Sequence, residues 1–272
     1  MKFEMSLKRF SLCAALSVAT IVPLAATPLQ PHRAVYDVDL ASATDRSGIS
    51  TMRGRMVYEF RGAECEGYTT NFRFVTQIGT RGERRVTDQQ TTTFEAADGS
   101  LFRFVTKTFV DDIEDRSVEG TAMAEEGGLV VELSGPAGGT IELEKALFPT
   151  AHMLKVLERA SAGERFFEQP IFDGSEDGDS IVTTSVVVGP EKDAAGDDKE
   201  ATVDPILTEN SYRNISIAYF NSSNATGEGT PDYRIAFKML ENGITRDLDM
   251  DYGDFALKGI LTDLELLPTS DC

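Results

Sequence analysis

The sequence predicts an all-β protein, a many-stranded antiparallel sheet with one helix. Three observations carry this. Apolar and polar residues alternate with a period of two in one stretch after another. Turn dipeptides, Asp98-Gly99 and Asn242-Gly243 among them, fall between those stretches and favour the tight turns that match strand twist. Helical spacing breaks the alternation in one segment, near 150–162.

The chain opens with an export signal. Lys2, Lys8 and Arg9 form a basic start, Leu12 to Leu24 is an apolar run of thirteen residues, and Ala25 and Ala26 are small residues at its end. A membrane-spanning helix needs roughly 20 apolar residues, so this run is too short to be one. Pro23 and Pro28 also argue against a continuing helix. Cys13 sits at the start of the run rather than its end, which argues against a lipid anchor. The expectation is a signal peptide over 1–26 and a single domain over 27–272, exported, soluble and not membrane-spanning. About 245 residues remain, enough for one all-β unit with a sizeable core.

The strands follow in order. Phe72, Phe74, Thr76 and Ile78 share one face, with Arg73 and Gln77 on the other. Phe102, Phe104, Thr106 and Thr108 repeat the pattern against Arg103 and Lys107. Ile141, Leu143 and Lys145 alternate with Glu142 and Glu144. Ile215, Ile217 and Tyr219 alternate with Asn214 and Ser216, and Tyr233, Ile235, Phe237 and Met239 oppose Arg234 and Lys238. Ile260, Thr262, Leu264 and Leu266 face away from Asp263 and Glu265, after a turn at Gly253-Asp254. Such strands bury one face and wet the other. About thirteen or fourteen strands fit at the usual spacing, and sequential hairpins make a meander the default topology. A sheet of that size must curl or close to hide its apolar face.

The helix starts after Pro149. Thr150 is the expected N-cap, Met153, Leu154 and Leu157 are spaced for one face, and Gly163 is the expected stop. A lone amphipathic helix in a β protein packs against the concave side of the sheet. Two stretches read as loops, the acidic 189–201 and the polar 221–232.

Net charge is -19, and about -21 once residues 1–26 leave with three basic residues and one acidic one. This argues against nucleic acid and against anionic membrane surfaces as partners. Removal of the signal also removes Cys13, leaving Cys65 and the C-terminal Cys272. Two thiols in an oxidising compartment predict one structural disulfide, closing a loop of about two hundred residues.

No chemistry declares itself. His32 and His152 are the only histidines, and no GxSxG elbow accompanies them. His152 reads as a helix-surface or first-turn residue. Zinc ligands do not cluster. The segment 173–179, DGSEDGD, matches the early positions of a calcium loop, but Thr184 stands where the bidentate glutamate belongs, so an acidic turn is the better reading. Asp111, Asp112, Glu114 and Asp115 read as a charged hairpin tip rather than a glycosidase site. No glycine-rich phosphate loop is present. Phe72, Phe74, Phe102 and Phe104, with Met153 and Leu157 of the helix, are candidates for lining a ligand cavity; an ordinary packed core competes with that reading.

Residues 148–179, 216–220, 231–259 and the closing Cys272 together resemble the EipB-like cell-envelope integrity proteins of Gram-negative bacteria, first known as a domain of unknown function. The resemblance spans roughly 31–272. It implies a periplasmic protein folded as a β-spiral, similar in shape to the LolA and LolB lipoprotein carriers, with one disulfide that matches Cys65 and Cys272. It implies a role in envelope integrity and stress resistance, a link to a periplasmic tetratricopeptide-repeat protein, and neither enzymatic activity nor a cofactor. The expected function is therefore non-catalytic and works through protein–protein contact. The alternative is a carrier or chaperone holding a lipid acyl chain or a lipoprotein in the concave face.

Overall fold

A computed structural model describes residues 29–135, 138–194, 198–221, 229–270 and 272. The signal expected over 1–26 lies outside the described residues, as does most of the polar connection at 221–232. The first eight strands are β1 His32–Ala43, β2 Ile49–Ala63, β3 Gly67–Thr80, β4 Arg84–Glu95, β5 Leu101–Val110, β6 Ile113–Glu125, β7 Gly128–Leu133 and β8 Thr140–Leu143. Helix α1, Pro149–Ser161, follows. The remaining strands are β9 Phe166–Ile171, β10 Val182–Lys192, β11 Tyr212–Asn221, β12 Tyr233–Leu240, β13 Thr245–Asp251 and β14 Phe255–Leu266. A one-turn helix α2, Ile206–Glu209, sits between β10 and β11 beside a 3-10 turn at Glu200–Thr202.

All fourteen strands form one antiparallel sheet, as alternation and hairpin turns require. Its order is two meanders, β8 back to β1 and β14 back to β9, joined where β1 pairs with β14. The two outermost strands are thus β8 and β9, consecutive in sequence and linked through α1. The chain just after β8 returns to β9. Leu147 bridges Ile171 in parallel, with Leu147 N–H donating to Pro170 O (3.0 Å) and Phe172 N–H to Leu147 O (2.9 Å). The sheet therefore curls until the chain leaving its β8 end meets β9 at the other end, which hides one face without a second layer.

α1 lies against the concave face. Val156 and Ala160 join the main core with Tyr36, Met56, Val186, Ile215 and Leu257. The face most deeply buried is His152, Val156 and Ala160, whereas Met153, Leu154 and Leu157 are half-buried. Spacing alone placed the face one step off, because a helix inside a curled sheet touches protein on more than one side.

Two further expectations are corrected. Thr150 is not the N-cap: Phe148 occupies that position, Pro149 is the first helical residue, and no side chain of the helix caps it. In β14 the alternation does not run unbroken. Leu261 and Leu264 are buried while Ile260 and Leu266 are exposed. The β1–β14 register slips between Val35 and Tyr36, which pair with Asp263 and Leu261 and leave Thr262 as an extra residue. A bulge of one residue reverses which side chains face the core.

Candidate functional site

The helix is held at its N-terminus from across the sheet. Glu95, the last residue of β4, accepts hydrogen bonds from the backbone N–H groups of Thr150 and Ala151, both at 2.7 Å. These are among the donors a helix start leaves without intrahelical partners. Burial pushes the Glu95 carboxyl above its ordinary value, opposed by those same N–H donors. One turn on, His152 is buried against β10. Thr184 Oγ1 donates to Gln169 O (2.8 Å) and so presents a lone pair to the His152 Nε2–H at 3.2 Å. Burial lowers the His152 pKa to about 4, so the ring is neutral at neutral pH. It is a first-turn residue, as the sequence suggests, but not a surface one.

α1 also borders a cleft of about 830 Å³, which reaches the rim of the main core at Ala160, Tyr212, Met239 and Leu240. Leu154 and Leu157 of α1, Met239 and Leu240 of β12, and Leu147 supply its apolar lining. Lys155, Glu158, Glu191 and Arg213 supply polar groups, and they neutralise one another: Lys155 pairs with Glu158 at 2.9 Å and Arg213 with Glu191 at 2.6 Å. This size and mixture suit a ligand-binding cleft. A smaller one, about 310 Å³, lies beyond Ala151 against the β4–β5 turn, β6 and β7.

Tyr212 closes one wall of the large cleft. Its ring carries two cations, the Arg246 guanidinium at 5.1 Å and the Lys238 ammonium at 5.3 Å. Arg246 is fully buried, and its Nη1 donates to Asp198 Oδ2 at 2.5 Å; Lys238 reaches the same oxygen at 2.8 Å. Burial would raise the Asp198 carboxyl, but hydrogen bonds and charge from Lys238 and Arg246 outweigh it and hold the pKa down at about 2. Nearby, Glu200 Oε1 accepts from the backbone N–H groups of Asp247 (3.2 Å) and Leu261 (2.5 Å). The β13–β14 ladder ends at Leu248 and Gly259, so this buried carboxylate staples the two strands where they part.

The sequence-derived candidates separate. Leu157 borders the large cleft, while Met153 packs beside Phe60 and Tyr68. Phe102 and Phe104 are fully buried, with Phe102 stacked on Phe148 (5.2 Å between centroids) and Phe104 edge-on to Phe172 (5.7 Å). They line neither cleft. Phe72 and Phe74 are half-buried on β3 and line neither. The DGSEDGD segment folds over the Phe104 ring. Gly174 has φ +67°, and a Cβ there would stand 2.6 Å from the ring. Asp111 and Asp112 form the exposed β5–β6 turn. Cys65, in the β2–β3 turn, is bonded to Cys272, with Cα atoms 5.8 Å apart. Among the described residues no three His, Cys, Asp or Glu side chains gather to hold a metal. Sequence reasoning missed Glu95, Tyr212, Asp198 and Arg246. Arg246 alone carried a signal: a cation whose neighbours Leu248 and Met250 alternate with it toward the interior.

Comparison with known proteins gives concordant results. The model of the EipB-like family matches residues 23–268. The chain is 50% identical over 245 residues to the cell envelope integrity protein EipB of Brucella abortus, covering 90% of this chain and 86% of that protein. A crystal structure of a β-barrel-like protein of domain of unknown function DUF1849 from Brucella abortus superimposes with a TM-score of 0.86 at 49% identity, covering 89% of this chain and all of that one.

Proposed function

The chain belongs to the EipB-like family, and on that premise we propose that it is an exported, periplasmic protein that maintains envelope integrity by binding rather than by catalysis. The single observation that carries the binding reading is the cleft along α1, apolar in its lining and about 830 Å³ in volume. An acyl chain of a lipid or lipoprotein is the ligand chemistry such a lining accepts: burial of methylenes is worth about 0.8 kcal/mol each, and four of the charged side chains that border the cleft already pair with one another, Lys155 with Glu158 and Arg213 with Glu191.

The test has two arms. In a host strain lacking the chain, the wild-type protein should restore growth on detergent and on a cell-wall antibiotic. Leu154→Glu, which places a charge on the half-buried cleft wall, should accumulate normally yet not restore it. In vitro, the same substitution should abolish uptake of a fluorescent acyl probe. Full rescue by Leu154→Glu with intact probe uptake would refute the cleft as the working site.

A second reading has its own observation. β9 is an outermost strand, and Phe166 on it is 57% exposed beside Val187 at 51%, its register partner on β10. An extended segment of a protein partner could add to that edge; a tetratricopeptide-repeat protein is the partner the family resemblance implies. Loss of crosslinking to a protein partner in Phe166→Lys, with the cleft intact, would favour this reading.

A further inference from the structure

Among the described residues Arg246 is the fully buried lysine or arginine of the core, and it is poorly satisfied. A guanidinium carries five N–H donors. Nη1 has Asp198, but Nε and Nη2 have no partner. Buried donors left without acceptors are costly, and a native structure that keeps them invites an explanation. The location supplies one. Arg246 and Lys238 lie on the Tyr212 ring, and Tyr212 is a wall of the acyl-sized cleft. The counter-charge, Asp198, comes from the strap between β10 and β11. That strap inserts Ala201 and Leu207, both nearly or fully buried, into the same core. It thus presents a carboxylate followed by apolar side chains, which is the chemical outline of an anionic amphiphile.

We propose that the cleft takes an amphiphile with an anionic head group, a carboxylate or a phosphate, and that the head group displaces Asp198 to bind Arg246 and Lys238 behind Tyr212. This rests on the acyl-cleft reading and names its ligand class. Lys238 and Lys258 also pair with Asp247, and Lys258 with Asp249. Glu200 lies close enough to act on Arg246 as a further carboxylate, but it accepts its hydrogen bonds from the backbone N–H groups of Asp247 and Leu261. Displacing Asp198 therefore takes away the hydrogen-bonded carboxylate of Arg246, and a buried guanidinium stripped of its partner is strongly unfavourable. An anionic head group can take that place. A phosphate or carboxylate would also offer acceptors to the two idle guanidinium nitrogens.

The experiment titrates the exported form with three single-chain probes below their micelle-forming concentrations: oleate, lysophosphatidylglycerol and uncharged monoolein. The anionic probes should bind tighter than monoolein. Asp198→Asn removes the competitor and should tighten the anionic probes by roughly fivefold or more while leaving monoolein unchanged. The tighter of oleate and lysophosphatidylglycerol identifies a carboxylate or a phosphate head. If Asp198→Asn does not fold, Lys238→Met decides: it should erase the preference for anionic probes. Monoolein binding as well as both anions, or an Asp198→Asn protein with unchanged anion affinity, overturns the inference and leaves the cleft standing. Binding of none of the three overturns the cleft reading with it.

Discussion

His152 makes the stability of this protein depend on pH in a window that can be calculated. Its ring is 5% exposed and its pKa falls from 6.5 to about 4 because burial disfavours the imidazolium. A histidine with a depressed folded pKa stays neutral in the native state while the unfolded chain takes up a proton. Stability from this group is complete above pH 6.5, falls as pH drops toward about 4, and is level below that. Between pH 8 and pH 5 the loss is about 2 kcal/mol, from the difference in proton uptake at 1.36 kcal/mol per unit. Glu95 and Glu200 act in the opposite sense. Burial raises both carboxyls, so each stabilises the fold on acidification and masks part of the loss. The perturbation is therefore His152→Gln, which retains a donor toward Thr184 but does not titrate. Urea unfolding at pH 8, 6.5 and 5 gives the free energy for both proteins. The wild type should lose about 2 kcal/mol more than the variant across that range. Parallel curves would mean that the ring titrates in the fold as it does in water, and would refute its burial.

Three other perturbations test the surrounding structure. Phe104→Ala should cost about 3–5 kcal/mol in urea unfolding, because the ring is enclosed by Phe102, Phe172 and the Gly174 turn; a loss under 1 kcal/mol would indicate a loosely filled space instead. Glu95→Gln turns one of two acceptors into a donor facing an N–H of α1. It should cost about 1–3 kcal/mol and speed amide exchange in the first helical turn, and unchanged exchange would show that the helix start does not depend on β4. Cys272→Ser opens a loop spanning a sequence separation of 207 residues, for which chain entropy sets an upper value of about 5 kcal/mol. The variant should fold but melt lower under non-reducing conditions, and an unchanged melting temperature would remove the bond from the account of stability.

The repeating features of this fold could be read from the chain, and its exceptions could not. Six strands announced themselves through two-residue alternation, and the hairpins through Asp98-Gly99, Asn242-Gly243 and Gly253-Asp254. These are local signals, each set by residues a few positions apart. The bulge at Thr262 was invisible because it follows from pairing with β1, more than two hundred residues away in sequence. The helix cap was misplaced for the same reason: Thr150 fits a local rule, but Glu95 reaches the helix from β4. The cleft residues were the least legible. Phe102 and Phe104 are large and aromatic, which suits a packed cluster as well as a cavity wall, and only the position of Phe148, Phe172 and Gly174 decides between them. Arg246 and Asp198 are 48 positions apart, and no spacing rule connects them.

Native mass spectrometry of the exported protein, purified from periplasm without detergent, tests the central claim most directly. A chain that holds an amphiphile along α1 should carry an added mass that organic extraction removes, that Leu154→Glu does not retain, and that fragments as a lipid with an anionic head. Bare protein in every preparation, lacking only the two hydrogens of the Cys65–Cys272 bond, would contradict the binding of an acyl ligand and leave the β9 edge as the working surface.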